Sequence, residues 1–169
     1  SSLGASFFRE SLIALAVAFL FMGLVVLIYF RTFVPSVAII LAAFSDMAVA
    51  LAVMNLLDIK IGTAGIAAFL MLIGYSVDTD ILLTVRVLKR KEGTVMDRII
   101  SSIKTGMTMT VTAIISTIVA LAVTQSEVIR QIMLILLIGL IADIFNTWIQ
   151  NVGLLRIYVE KKSKKGVII

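Results

Sequence analysis

The chain has 169 residues, 61% of them hydrophobic and 15% charged, with a net charge of +5. A soluble domain is about 45–50% apolar, so the composition excludes an ordinary globular protein and points to the bilayer as solvent. Cysteine and histidine are both absent, which excludes disulfides, thiolate metal sites and imidazole acid–base chemistry; no catalytic residue, metal or cofactor is expected.

Five apolar runs follow one another, each near the ~20 residues that a spanning helix needs. They cover about 11–30, 36–57, 63–85, 105–124 and 132–155. The runs are continuous rather than alternating, so they predict helices and not barrel strands. The expected fold is all-α, a polytopic membrane helix bundle with five transmembrane helices, forming a single domain over 1–169. The first and fourth runs carry no charge, whereas the second holds Asp46, the third Asp78 and Asp80, and the fifth Asp143. Short connections at 31–35, 58–62 and 126–131 make consecutive helices antiparallel, with the sole proline, Pro35, at the first break. The third connection is longer and basic, with Arg86, Lys89, Arg90, Lys91, Arg98 and Lys104. Within it Val95, Ile99, Ile100 and Ile103 recur at helical spacing, which predicts an amphipathic helix over about 92–103 on the membrane surface. A basic tail follows over 156–169.

Positive charge sets the expected orientation. Arg31, the six basic residues of the linker, Arg156, Lys161, Lys162, Lys164 and Lys165 fall on one side, and only Arg9, Lys60 and Arg130 on the other. The richer side is expected in the cytoplasm. That places this chain's N-terminus outside and its C-terminus inside, in a multi-pass protein of the cell membrane. An outside start without a signal-like segment implies a preceding helix, and an outside domain, beyond this sequence. Basic residues beside spans bind the lipid bilayer, so nucleic acid is not an expected partner.

A carboxylate at a helix centre costs about 2.5–3.5 kcal/mol on insertion scales. No basic residue lies at the depth of these four aspartates, and desolvation disfavours the charged form of a carboxyl. Asp46, Asp78, Asp80 and Asp143 are therefore candidates for proton handling or for helix pairing. Helical spacing sorts their neighbours. Gly139, Asp143, Asn146, Thr147 and Gln150 share a stripe on the last helix, and Ala42, Ala43, Asp46 and Ala50 share one on the second. On the fourth, Thr105, Thr108, Thr112 and Ser116 form one face, and Gly106, Thr110 and Thr117 another. Asp78 and Asp80 point roughly 160° apart at ~100° per residue. One is expected inside this bundle and the other against a partner, so they do not form a paired-carboxylate acid–base site. Without a phosphate-binding glycine loop either, an enzyme is not expected.

The stretch Ile73–Arg86, with Gly74-Tyr75-Ser76-Val77-Asp78-Thr79-Asp80 at its centre and Arg86 at its end, resembles the signature of the SecF family of protein-export membrane proteins, most of all its archaeal branch. That family belongs to the resistance-nodulation-division superfamily, whose half-transporter architecture the resemblance implies here. Family members have six membrane helices and a large extracytoplasmic domain between the first and second; this chain resembles helices two to six. Ser45-Asp46 matches the third-helix acid, and Gly139 to Asp143 a sixth-helix glycine region. The resemblance implies a subunit that pairs with a SecD-like membrane subunit and assists the Sec channel complex in moving a translocating polypeptide across the membrane. Bacterial relatives use the proton gradient through intramembrane acids and an arginine. The acid maps to the Asp78–Asp80 region, where the bacterial order is Asn-Asp-Thr, while the arginine maps to Met109 and its neighbouring threonine to Thr110. Two expectations follow: a relay through Asp78 and Asp80 with Thr110, built of carboxyls and hydroxyls alone, or a scaffold not coupled to protons. Half of a small-molecule efflux transporter of the same superfamily is a third.

Overall fold

The protein is described by a computed structural model that covers residues 2–90 and 92–164. Lys91, Lys165 and the remainder of the basic tail lie outside the described residues. The elements in order are α1 (Ser2–Phe30), α2 (Phe33–Leu56), α3 (Thr63–Lys89), α4 (Val95–Val123) and α5 (Glu127–Phe145). A π-helical turn, Asn146–Asn151, then leads directly into α6 (Val152–Lys164). No strand occurs among the described residues. Five stretches are long and apolar enough to cross a membrane: Phe8–Phe30, Phe33–Leu56, Thr63–Lys89, Val95–Val123 and Glu127–Ser163. The all-α five-span bundle expected from the apolar runs is the architecture observed.

Two boundaries differ from expectation. The segment over 92–103 is not a separate surface helix. α4 begins at Val95 under a reciprocal Thr94–Asp97 capping box and runs unbroken to Val123. No glycine or proline interrupts 95–105, so nothing in the backbone stops the helix there. Most of its apolar face meets protein: Ile99 is buried, with Val95 and Ile103 beside it, against Leu83 and Val87 of α3 and Leu155 and Val159 of α6, while Ile100 stays exposed. The last span also passes the expected end near 155, because α6 continues the same rod. The first break falls at Arg31–Thr32, with Arg31 in the left-handed region at φ 52°. Pro35 lies inside the first turn of α2, where its missing N–H has no intrahelical partner to lose.

α3 and α5 form the centre; α2 packs on both, α4 joins from another side, and α1 lies outermost on α2 and α3. α1 keeps Leu20, Phe21 and Ile28 exposed, as a lipid-facing helix should. Three apolar clusters are stacked along the bundle. Met54, Phe69, Leu72 and Ile135 fill one end, where α2 turns into α3. Val26, Phe30, Ile39, Ile73 and Val77 join α1 to α2 and α3. Leu83, Val87, Ile99, Leu155 and Val159 close the basic end. A polar layer sits among them.

Candidate functional site

The polar layer is made by α2, α3 and the α5–π-turn rod, each contributing acids or their partners at helical spacing. Asp46, on the small-residue stripe of α2, is completely buried. Its Oδ2 accepts the hydroxyl of Ser76 and its Oδ1 accepts Asn146 Nδ2 at 2.6 Å. Asp143 is buried one turn before Thr147. Its carboxyl oxygens lie 3.1 and 3.2 Å from Thr79 Oγ1, and Oδ1 lies 2.9 Å from Thr147 Oγ1. Asp80, fully buried on α3, has Oδ1 3.0 Å from Thr147 Oγ1 and 2.6 Å from Asn151 Nδ2. Thr147 Oγ1 thus joins the carboxyls of Asp80 and Asp143 directly. No Lys or Arg reaches any of the three: the one ion pair among the described residues is Arg156–Glu160, at the surface.

Counting hydrogens shows what this arrangement can do. A hydroxyl carries one proton, yet Thr147 Oγ1 is within hydrogen-bond reach of both Asp80 and Asp143. Thr79 is in the same position, because its hydroxyl also lies 2.9 Å from the Ser76 carbonyl. With all three carboxyls ionised, at least one of these contacts sets two lone pairs against each other. A proton held on Asp80 or Asp143 completes the contacts of Thr147, since the carboxyl O–H donates to Thr147 and Thr147 donates onward; Thr79 still divides one proton between Asp143 and the Ser76 carbonyl. Passing that proton from one acid to the other takes two coupled transfers, the acid's proton to Thr147 Oγ1 and Thr147's own proton to the other carboxyl, after which the hydroxyl turns to reset.

The expected residues are not all gathered here. Asp46, Asp80, Asp143 and Asn146 are brought together, with Ser76 from the motif. Asp78 is not: it is exposed, on the outward stripe with Gly74 and Tyr75, and makes no hydrogen bond among the described residues. Thr110 is buried on α4 without a hydrogen-bond partner and does not bond either aspartate of α3. Arg86 leaves the acids altogether; its Nη1 donates to the Ser101 carbonyl at 2.6 Å, the Ser101 hydroxyl at 3.0 Å and the Thr105 hydroxyl at 2.9 Å, clasping α3 to α4. Thr79, Thr147 and Asn151 carry much of the network.

Comparison with known proteins gives this geometry a family. Residues 1–161 match the model of the C-terminal region of protein-export membrane proteins SecD and SecF. The chain belongs to the SecD/SecF protein-export membrane protein family. Among its relatives, the protein-export membrane protein SecF of Methanocaldococcus jannaschii is 46% identical over 98% of this chain and 61% of its own length. The SecF proteins of Methanothermobacter thermautotrophicus and Thermococcus gammatolerans are 50% and 48% identical, over 89% and 94% of this chain and 54% and 50% of their own lengths. The chain thus spans about half to three-fifths of these SecF proteins. Met109, where the resemblance led to the expectation of an arginine position, is 45% exposed and lines a lateral groove with Tyr75, Thr112 and Ser116.

Proposed function

We propose that this chain is the membrane portion of a SecF-type subunit that assists polypeptide translocation with a SecD-type partner and the Sec channel. Protons moving through Asp46, Asp143 and Asp80 drive it. The observation that carries the proton reading is the single Thr147 hydroxyl shared by two buried carboxyls at 2.9 and 3.0 Å. A network built only to glue helices has no need of two acids on one donor, since one acid and one amide would satisfy the same contacts at lower desolvation cost. The chain forms one transmembrane domain, with its basic end in the cytoplasm. The outward stripe of Gly74, Tyr75 and Asp78 faces the SecD-type subunit, which gives Asp78 a polar neighbour that lipid cannot.

The test is gradient-dependent export by the full-length protein in its complex, with Asp80→Asn and Asp143→Asn made singly. Each should reduce export at least tenfold while leaving assembly intact. Undiminished export in both overturns the reading. A second reading, a scaffold that only holds the partner and channel together, draws on the absence of any Lys or Arg contacting the acids among the described residues; it expects assembly and export to ignore both substitutions.

A further inference from the structure

Next to the acid cluster, on the side of the basic end, several buried polar atoms have no partner in the protein. They are Asp80 Oδ2, Thr84 Oγ1, Thr110 Oγ1, Asn151 Oδ1 and Trp148 Nε1. Asp80, Thr84 and Asn151 are completely buried and Thr110 is 2% exposed. Their placement is connected. Asn151 bonds Asp80 directly, and Thr84 lies one turn along α3 on the same buried face. Trp148 shares the π turn with Asn151, and its ring packs on Gly106 of α4, one turn before Thr110. Gly106 leaves no room for a Cβ against that ring, which brings the π turn close to α4.

The hydroxyls are unusual for where they stand. Ser102, Thr105, Thr108, Thr112, Ser116 and Thr117 of α4 all return their proton to the carbonyl four residues back. That is the ordinary way a membrane helix satisfies such a group. Thr110 does not, and neither does Thr84. Both keep a donor and an acceptor for something else. The set around them is mixed: Trp148 Nε1 can only donate, Asn151 Oδ1 can only accept, and the two hydroxyls do either. A cation would satisfy the oxygens and repel the indole N–H. Water donates and accepts, and a buried water characteristically takes about three such partners.

We propose that the space between α3, α4 and the π turn is a water-binding site, lined by Asp80, Thr84, Thr110, Trp148 and Asn151, and that its water carries the hydrogen-bonded path from Asp80 toward Arg86. The site itself stands on the unpartnered atoms; its role as a path rests on the relay reading above. It gives Thr110 a function through solvent rather than through direct contact with an acid. It also makes Asp80 the terminal member of the cluster, with one oxygen on Thr147 and Asn151 and the other on water.

The experiment is high-resolution electron cryomicroscopy of the full-length protein with its partners in lipid nanodiscs, once in sodium chloride and once in choline chloride. The expected result is density within hydrogen-bond distance of Asp80 Oδ2 in both salts. Thr84→Val and Thr110→Val, which preserve side-chain shape, should each lose a peak or displace it. Density seen only with sodium overturns the proposal in favour of a cation, and so does a map in which the hydroxyls close directly on backbone carbonyls with no density between. Should either valine variant fail to fold, the two wild-type maps decide alone. Export measured on the same samples separates the two readings. Density with export indifferent to Asp80→Asn and Asp143→Asn overturns the relay and leaves the water site standing, and acid-dependent export without density does the reverse.

Discussion

Replacing Thr147 by valine removes one oxygen and its proton from the middle of the acid cluster while keeping the branched shape. Two contacts go at once, to Asp80 at 3.0 Å and to Asp143 at 2.9 Å. Asp80 keeps Asn151, and Asp143 keeps Thr79, so neither carboxyl is stripped bare. A hydrogen bond between membrane helices is worth about 0.6 kcal/mol on average, with a maximum near 1.7. A buried acceptor left short of a donor costs about 1–3 kcal/mol. With partial compensation on both sides, the loss should be about 1–2 kcal/mol, read as a shift in the midpoint of detergent-driven unfolding in mixed micelles. Thr147→Ser restores the hydroxyl and should recover most of it. Export should follow the same order if the hydroxyl passes a proton: serine near wild type, valine strongly reduced. A valine variant as stable and as active as the parent, or a serine variant as poor as valine, refutes the hydrogen count on which the cluster's chemistry depends.

Gly139→Ala pushes a methyl into the Leu72 side chain and should destabilise by about 1–3 kcal/mol as overpacking; combined with Leu72→Val the loss should be smaller than the two single losses summed, measured by a double-mutant cycle. Gly106→Val drives Trp148, the only tryptophan, out of its notch on α4, so its fluorescence should shift and the protein lose about 1–3 kcal/mol. Asp78→Asn breaks no hydrogen bond or ion pair among the described residues and should change isolated stability by less than about 0.5 kcal/mol. The same substitution should weaken co-purification of the SecD-type subunit, and unchanged recovery would remove Asp78 from the partner interface.

Much of the layout was legible before any coordinates. Apolar runs of spanning length locate the five spans, and a period of 3.6 already lines up Gly139, Asp143 and Thr147 and collects Ala42, Ala43, Asp46 and Ala50 on the buried face of α2. The opposition of Asp78 and Asp80 follows from helix geometry, and the structure turns Asp80 inward. What stayed hidden depended on local departures from that period. On a regular helix Asn151 would sit about 80° from Asp143, off the stripe. The wider π turn advances each residue by roughly 80° instead of 100° and returns Asn151 to the cluster. No spacing rule announces a π turn, although four polar side chains within Asn146–Asn151, Asn146, Thr147, Gln150 and Asn151, are a cue that the turn has special work. Thr79, between Asp78 and Asp80, has no periodic cue of its own except its place three residues after Ser76, on the same side. The full length of α4, Val95–Val123, is not legible because a basic amphipathic stretch has the same pattern whether it lies on headgroups or against neighbouring helices.

The Arg86 clasp has a mechanical meaning. Three donor contacts to Ser101 and Thr105 pin α4 to α3 near one extremity, while beyond the pin Val111, Ile115, Val119 and Val123 present an unencumbered outer flank. From Thr105 to Val123 the helix extends about 27 Å at 1.5 Å per residue. A tilt of about 10° at the fulcrum would displace the Val123 end by roughly 5 Å over that arm. A small tilt at the clasp is therefore magnified toward the end of α4 that turns into α5.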